Sequence, residues 1–197
     1  MMTIDEQILD YLKQLHMPTM RGCYQQIADQ ARKEPFSYEQ YLLELLKLEC
    51  EARRQNRIAR NLRASKLPPS KTLANFDKKR LPVKVAAHLN VLTDGSFLSR
   101  CENVLAFGNP GSGKTHLLCA IGHELIEQGR RILFICCSQL VQDLLIAKRD
   151  LAMRKVVKKL SRYDAVIIDD IGYVQHSRRQ MEVLFTLLAD GYERGPG

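Results

Sequence analysis

The sequence lacks the features that mark several large classes of protein. No run among its 197 residues reaches the roughly 18 apolar residues that a membrane-spanning helix needs. Acidic residues, namely Asp5, Glu6 and Asp10, stand where a secretory signal would carry positive charge before an apolar run. There are also no internal repeats and no low-complexity segments. These absences predict a globular, cytoplasmic protein.

The cysteines and histidines form no pattern typical of a metal centre or a nucleophilic active site. None of the six cysteines or five histidines stands at metal-ligand spacing, and no Ser-His-Asp or Cys-His constellation can be assembled. Cys136 and Cys137 lie in an apolar, strand-like run. Because a free cysteine packs as a small hydrophobic residue, we expect buried, reduced thiols.

What is present is a helical first third followed by alternating strands and helices. Apolar residues recur at helical spacing from residue 4 to about 66, with prolines and a glycine interrupting them between residues 18 and 35, which predicts two or three helices. Ser37 and Gln40 form a capping box before the long last helix. We predict three parts, which are a helical domain at 1–67, a linker at 68–81 and an α/β domain at 82–197.

The second domain has the alternation of a parallel α/β sheet. The predicted strands are 103–107, 132–136 and 165–168. The predicted helices are 83–92, 115–128, 140–160 and 178 to about 194. The third of these has a candidate break near Asp150, and a loop is predicted at 172–177.

A glycine-rich loop carries the strongest functional signal. It matches the phosphate-binding pattern G-x-x-x-x-G-K-[ST], and it lies between a predicted strand and a predicted helix, as the pattern requires. Glycines let backbone N–H groups turn towards phosphate oxygens, and the helix N-terminus adds its positive dipole end. Lys114 is predicted to bind the β- and γ-phosphates and Thr115 to bind magnesium. The predicted nucleotide-binding residues are Gly108, Asn109, Pro110, Gly111, Ser112, Gly113, Lys114, Thr115 and His116.

Two carboxylates at the end of an apolar strand complete the predicted site. Because residues 166–168 are apolar throughout, we expect a strand that is buried on both faces. Asp169 at its carboxyl end is predicted to hold magnesium through its water shell, and Asp170 to polarise an attacking water. The alternative is a helix cap followed by a loop. The nearby phosphate loop favours catalysis, with Lys114, Asp169 and Asp170 as catalytic residues and ATP and Mg²⁺ as cofactors.

A net charge of +8 favours a polyanionic partner, although ATP alone accounts for part of this balance. Cations recur every three or four residues on the long helix and again before the strand that ends in Asp169. They either track DNA phosphates or form solvated helix faces. No aromatic residues interleave with them, so we expect sequence-tolerant binding to the DNA backbone. The DNA-binding candidates are Arg53, Arg54, Arg57, Arg60, Arg63, Lys148, Arg149 and Lys155.

These motifs, together with further segments, resemble the IstB-like ATP-binding proteins. These are AAA+ helper ATPases of bacterial insertion-sequence transposition, related to the DnaC helicase loaders. The resemblance covers essentially the whole chain and rests, besides the nucleotide motifs, on the segments 15–20, 41–46, 51–54, 71–73, 76–77 and 169–173. It implies a P-loop NTPase (AAA+) core after a small all-α domain, and an ATP-dependent homo-oligomer on double-stranded DNA. It also implies recruitment or stimulation of the transposase of the same element.

The sequence departs from this family at its C-terminal end. Family members continue into a sensor strand, an arginine finger and a helical lid, none of which this sequence contains. The resemblance therefore implies an incomplete core in which strand 103–107 lacks both usual neighbours, and each orphaned backbone group costs roughly 1 to 3 kcal/mol. We expect impaired ATP binding and more strongly impaired hydrolysis, so ATPase activity stays an open question.

Three other functions remain open beside the favoured transposition helper. A helicase loader would need an N-terminal domain that binds a replicative helicase. A catalytically inert module would bind DNA or partners while its core no longer turns over ATP. A metabolic P-loop kinase is the weakest of the three, because no phosphate-acceptor pocket is visible and the basic helices would be unexplained.

Overall fold

The computed structural model describes residues 2–34, 36–172 and 178–193. Two compact units make up the chain, Met1–Ala59 and Arg60–Gly197. The division falls inside a long helix, so residues 60–67 and the predicted linker at 68–81 belong to the second unit. Within the described residues, every helix is too short or too polar to cross a lipid bilayer.

The first unit contains two helices, α1 (Ile4–Gln14) and α2 (Pro18–Lys33), and most of a third, α3 (Tyr38–Ser65). The predicted capping box is confirmed, because Ser37 Oγ accepts from the Gln40 backbone N–H (3.2 Å) and Gln40 Oε1 accepts from the Ser37 N–H (2.7 Å). The helices pack through a small core formed by Met20, Tyr24 and Leu45, with Leu12, Met17, Cys23, Ile27 and Tyr41 around it.

The N-terminus of α2 is capped from another helix. Its own N-cap residue, Met17, has no side-chain hydrogen bond to the helix, and Pro18 carries no N–H. The carboxylate of Glu49 in α3 accepts from the next two N–H groups, those of Thr19 (2.9 Å) and Met20 (3.0 Å). This buried carboxylate therefore supplies both hydrogen-bond acceptors and negative charge at a helix N-terminus.

The second unit has a two-stranded parallel sheet covered by helices. Strands β1 (Ile132–Cys136) and β2 (Ala165–Asp169) pair from Ile132 opposite Ala165 to Cys136 opposite Asp169. The helices are α4 (Val83–Asp94), α5 (Ser96–Ser99), α6 (Lys114–Glu127), α7 (Cys137–Arg149), α8 (Met153–Leu160) and α9 (Arg178–Glu193), with a short 3-10 helix at Lys78–Arg80.

Most predicted elements of this unit are confirmed, including both paired strands and the break near Asp150. That break separates α7 from α8, and both helices pack with α9 against the sheet through a core that includes Ile135, Leu140, Leu144 and Val183. The expectation that β2 is buried on both faces is wrong, because all five of its residues are half-buried. The loop predicted at 172–177 lies outside the described residues except for Gly172. The end of the last predicted helix, at 194, also lies outside them.

The strand predicted at 103–107 is wrong. These residues have no regular secondary structure and take part in no backbone–backbone hydrogen bond within the described part of the chain. Leu105 is 71% exposed and Phe107 is 87% exposed. A strand needs a neighbour for its backbone donors and acceptors, and β1 and β2 pair with each other instead. The apolar composition of the segment was therefore not enough to make it a strand.

Candidate phosphate-binding site

The glycine-rich loop forms an open turn at the N-terminus of α6. Gly111 and Gly113 have φ angles of 75° and 86°, which lie in the left-handed region that favours glycine. Gly113 is the N-cap of α6, and no side chain caps this end of the helix. The first N–H groups of α6 thus keep no side-chain acceptor, and the positive end of the helix dipole faces the same space. This arrangement is suited to binding an anion.

Lys114 bends back over this loop. Its Nζ donates to the carbonyl oxygens of Gly108 and Asn109, each at 2.9 Å. Both acceptors are uncharged, so a phosphate oxygen would make a stronger, charge-assisted bond with the same ammonium group. The predicted phosphate-binding lysine therefore lies at the loop in a position from which it can exchange neutral acceptors for a charged one.

The metal-binding residues predicted from the sequence lie together. Thr115 Oγ1 donates to Asp169 Oδ1 at 2.9 Å, which joins the first turn of α6 to the carboxyl end of β2. A hydroxyl and a carboxylate are oxygen ligands of the kind that Mg²⁺ prefers. Among the described residues, no group of three or more His, Cys, Asp or Glu side chains could hold a metal. The hydroxyl and the carboxylate are the two candidate metal ligands that the structure places side by side.

Asp170 follows β2 directly and has a left-handed backbone conformation. Its φ of 60° lies in the left-handed region, which aspartate tolerates better than most residues. The side chain is exposed and lines the same cavity as the glycine-rich loop. Asp170 is thus near the loop, as predicted, but it takes no part in the bond between Thr115 and Asp169.

The loop opens into a cavity of about 350 Å³ that includes a residue which sequence reasoning did not single out for the site. This residue is Lys71, which comes from the segment read as a linker. Because Lys71 is far from the loop in sequence, no local pattern marks it as part of the site. Only the fold brings it to the cavity. The lining consists of Lys71, Pro110, Gly111, Gly113, Lys114, Thr115, His116 and Asp170.

Cys119 lies one turn after Thr115 on α6 and is completely buried. The pKa of this thiol is raised to about 11, mainly by burial, while the charge of Lys71 lowers it and that of Asp169 raises it. The thiol therefore stays protonated and unreactive at neutral pH. The expectation of buried thiols is confirmed for Cys119 and Cys137 but is wrong for Cys50 and Cys101, which are exposed. All six cysteines are free.

The basic residues predicted to bind DNA differ in their surroundings. Arg53 already makes two hydrogen bonds within the protein. Its Nε donates to Glu49 Oε1 (2.9 Å), and its NH2 group donates to the His16 carbonyl oxygen (2.6 Å). The cations of α3 therefore include one that is already paired with a buried carboxylate, that of Glu49. Exposed partners pair with Arg54 (Glu51, 3.7 Å), Lys148 (Glu182, 2.8 Å) and Arg149 (Asp150, 2.9 Å), while Arg57, Arg60, Arg63 and Lys155 are exposed.

Comparisons with known proteins agree on one group of relatives. A sequence model described as the IstB-like ATP binding protein matches residues 10–196. An insertion sequence ATP-binding protein of Sinorhizobium fredii is 39% identical over 98% of this chain and 65% of its own length. The ATP-binding protein of insertion sequence IS5376 from Geobacillus stearothermophilus is 33% identical, over 97% of this chain and 76% of its own length. That of IS21 from Pseudomonas aeruginosa is 32% identical, over 93% of this chain and 69% of its own length.

Proposed function

Because the chain belongs to the IstB-like ATP-binding protein family, we propose that it binds ATP with magnesium at the glycine-rich loop and acts as a helper protein of DNA transposition. The observation that carries the proposal is the bond between Thr115 and Asp169, at 2.9 Å, beside the uncapped N-terminus of α6. This bond places a candidate metal-binding pair directly beside a candidate phosphate-binding loop. The names of the relatives support an ATP-binding role in insertion sequences.

Each residue of the site has a distinct task in this proposal. The N–H groups at the start of α6 bind phosphate oxygens, and Lys114 exchanges its two carbonyl acceptors for the β- and γ-phosphates. Thr115 and Asp169 supply oxygen ligands for Mg²⁺, which when bound neutralises phosphate charge. Asp170, exposed at the cavity, orients the water that attacks the terminal phosphate and accepts its proton.

The helper role rests on a second set of residues. We propose that the exposed cations of α3 and α8, represented by Arg57 and Lys155, bind the backbone of double-stranded DNA. On α8 these cations lie opposite a face that packs on the core through Met153, Val156, Val157 and Leu160. In this proposal the chain assembles with further copies on DNA and recruits or stimulates the transposase of the same element, in the cytoplasm.

The test is ATP binding and hydrolysis by the purified chain, with and without duplex DNA. We expect Lys114→Ala to weaken ATP binding roughly 10- to 100-fold, because a hydrogen bond to a charged group contributes about 1.5 to 3 kcal/mol. The matched control is Lys79→Ala, which removes the same charge from an exposed site outside the cavity. Equal ATP affinity in the two variants would refute the assignment of the loop.

A second candidate function is a module that binds DNA and partners without turning over ATP. It is favoured by the exposure of residues 103–107, since the segment leading into the loop is not held by a sheet neighbour in the described chain. Turnover that rises with duplex DNA and disappears in Lys114→Ala would support the helper ATPase. ATP binding without turnover, combined with binding to DNA, would support the inert module instead.

A further inference from the structure

We propose that Lys71 is a second phosphate-binding cation of this site, an inference that rests on the proposed nucleotide-binding function. The segment that carries it is fixed along α6. The ring nitrogen Nε2 of His123 donates to the Pro68 carbonyl oxygen (3.1 Å), and that of His116 donates to the Thr72 carbonyl oxygen (3.0 Å). Lys71 lies between these two anchors, so its backbone position is set by α6 itself.

Apolar contacts on both sides strengthen this attachment. Before the lysine, Leu67 approaches α6 so closely that a Cβ on Gly122 would lie 3.1 Å from Leu67 Cδ1. After it, the ring of Phe76 meets the His116 ring edge to face, with centroids 5.1 Å apart. The same Phe76 ring lies 3.4 Å from where a Cβ on Gly113 would be. The segment is therefore a wall of the phosphate site rather than a free linker.

The lysine itself is half-buried at the cavity that the glycine-rich loop lines. Within the described part of the chain, no carboxylate forms an ion pair with it, and Asp169 is hydrogen-bonded to Thr115. A half-buried ammonium group with no carboxylate partner favours an anionic ligand.

The charges around the cavity point to a polyphosphate in particular. The cavity is lined by two lysines, Lys71 and Lys114, and by the positive end of α6. One carboxylate, that of Asp170, also belongs to the lining. A ligand with a single negative charge would leave one of the two ammonium groups without an anionic partner, whereas a triphosphate offers a charged oxygen to each. We therefore assign Lys71 to a phosphate oxygen and not to the base or the ribose.

The experiment compares Lys71→Met, which keeps the aliphatic stem and removes the ammonium group, with the exposed control Lys79→Met. Affinities for ATP and for inorganic triphosphate are measured with Mg²⁺ present by equilibrium titration. We expect Lys71→Met to weaken both ligands about tenfold, the effect of one charge-assisted hydrogen bond. We expect Lys79→Met to change neither by more than about twofold. Lys71→Arg should restore most of the affinity, because it returns the positive charge.

A second measurement uses the unsubstituted chain and so does not depend on how a variant folds. Lysines are acylated with a small amine-reactive reagent, and the extent of modification at each lysine is followed by mass spectrometry. Mg²⁺ and ATP should slow the modification of Lys71 and leave Lys79 unchanged. Equal rates at Lys71 with and without ATP would overturn the proposal.

The outcomes separate this inference from the proposed function. ATP binding that is unchanged in Lys71→Met but lost in Lys114→Ala would overturn the role of Lys71 alone. Weakened ATP binding with unchanged triphosphate binding would place Lys71 at the base or ribose, which also overturns it. Absence of nucleotide binding by the unsubstituted chain would overturn the proposed function together with this inference.

Discussion

Replacement of Glu49 tests whether a carboxylate from α3 holds the start of α2. The side chain is 4% exposed and accepts three hydrogen bonds, from the Thr19 and Met20 N–H groups and from Arg53 Nε. Glu49→Ala removes all three acceptors at once. It leaves two N–H groups near the core unsatisfied, and it leaves Arg53, which is 55% exposed, to be hydrated by water.

The expected loss in the free energy of unfolding follows from these three hydrogen bonds. An unsatisfied buried donor costs about 1 to 3 kcal/mol, and the loss of a helix cap costs about 0.5 to 2 kcal/mol. Because water rehydrates Arg53 and reaches part of the helix end, we expect a net loss of about 2 to 4 kcal/mol in the free energy of unfolding. Glu49→Gln keeps an acceptor but loses the charge, so its loss should be about half as large.

The same contacts predict a dependence on pH. Burial raises the pKa of Glu49, but the hydrogen bonds from Met20, Arg53 and Thr19 outweigh it and hold the pKa below its ordinary value of 4.5. A carboxylate with a lowered pKa stabilises the folded state above the unfolded pKa. This contribution is complete above about pH 5 and is lost as the pH falls below 4.5 through the folded pKa.

The assay is urea unfolding followed by helical circular dichroism, repeated between pH 3 and pH 7. The matched control is Glu51→Ala, two residues along α3, whose ion pair with Arg54 is 3.7 Å long and more than half exposed on both sides. It should cost less than about 0.5 kcal/mol. Equal losses in Glu49→Ala and Glu51→Ala would refute the capping role. So would a difference between Glu49→Ala and the unsubstituted chain that stays constant down to pH 3.

Three further predictions concern the metal-binding pair, the segment 103–107 and the cysteines. Asp169→Asn should abolish most of the dependence of ATP affinity on Mg²⁺, measured by titration with and without the ion, and an unchanged dependence would exclude Asp169 as a metal ligand. Amide hydrogens of residues 103–107 should exchange with deuterated solvent far faster than those of β1, whereas equally slow exchange would show that the segment is paired. At pH 8, iodoacetamide should alkylate the exposed Cys50 in the native chain and leave Cys119 unmodified until urea unfolds it, because burial raises the pKa of Cys119 to about 11.

The features that the sequence predicted correctly depend on neighbours along the chain. Helical spacing and capping residues predicted the helices, and a continuous apolar run predicted β2. The glycine-rich loop is contiguous from Gly108 to Thr115, so its pattern contains both the turn and the helix start. The meeting of Thr115 with Asp169 also follows from a general rule, because functional groups in parallel sheets gather at the carboxyl ends of strands.

The features that the sequence missed depend on residues far apart in the chain. Glu49 reaches Thr19 across 30 positions, and no local pattern marks it as a helix cap. Lys71 lies in a stretch with few large apolar residues, which resembles a linker until the docking of Thr72 on His116 is known. The segment 103–107 has the composition of a buried strand, but composition does not provide the neighbouring strand that pairing requires.

The structure also divides the predicted DNA-binding cations into two kinds. The ion pairs of Lys148 and Arg149 are exposed and contribute at most about 1 kcal/mol, so DNA phosphates can displace their partners. Arg53 differs, because its partner Glu49 is buried and holds the start of α2. If DNA binding were lost on replacing Arg53, the cause could therefore be a destabilised first unit and not a missing contact with DNA. Arg57 and Lys155 are exposed and make no ion pair within the described residues, so a substitution at either position tests the proposed contact with DNA directly.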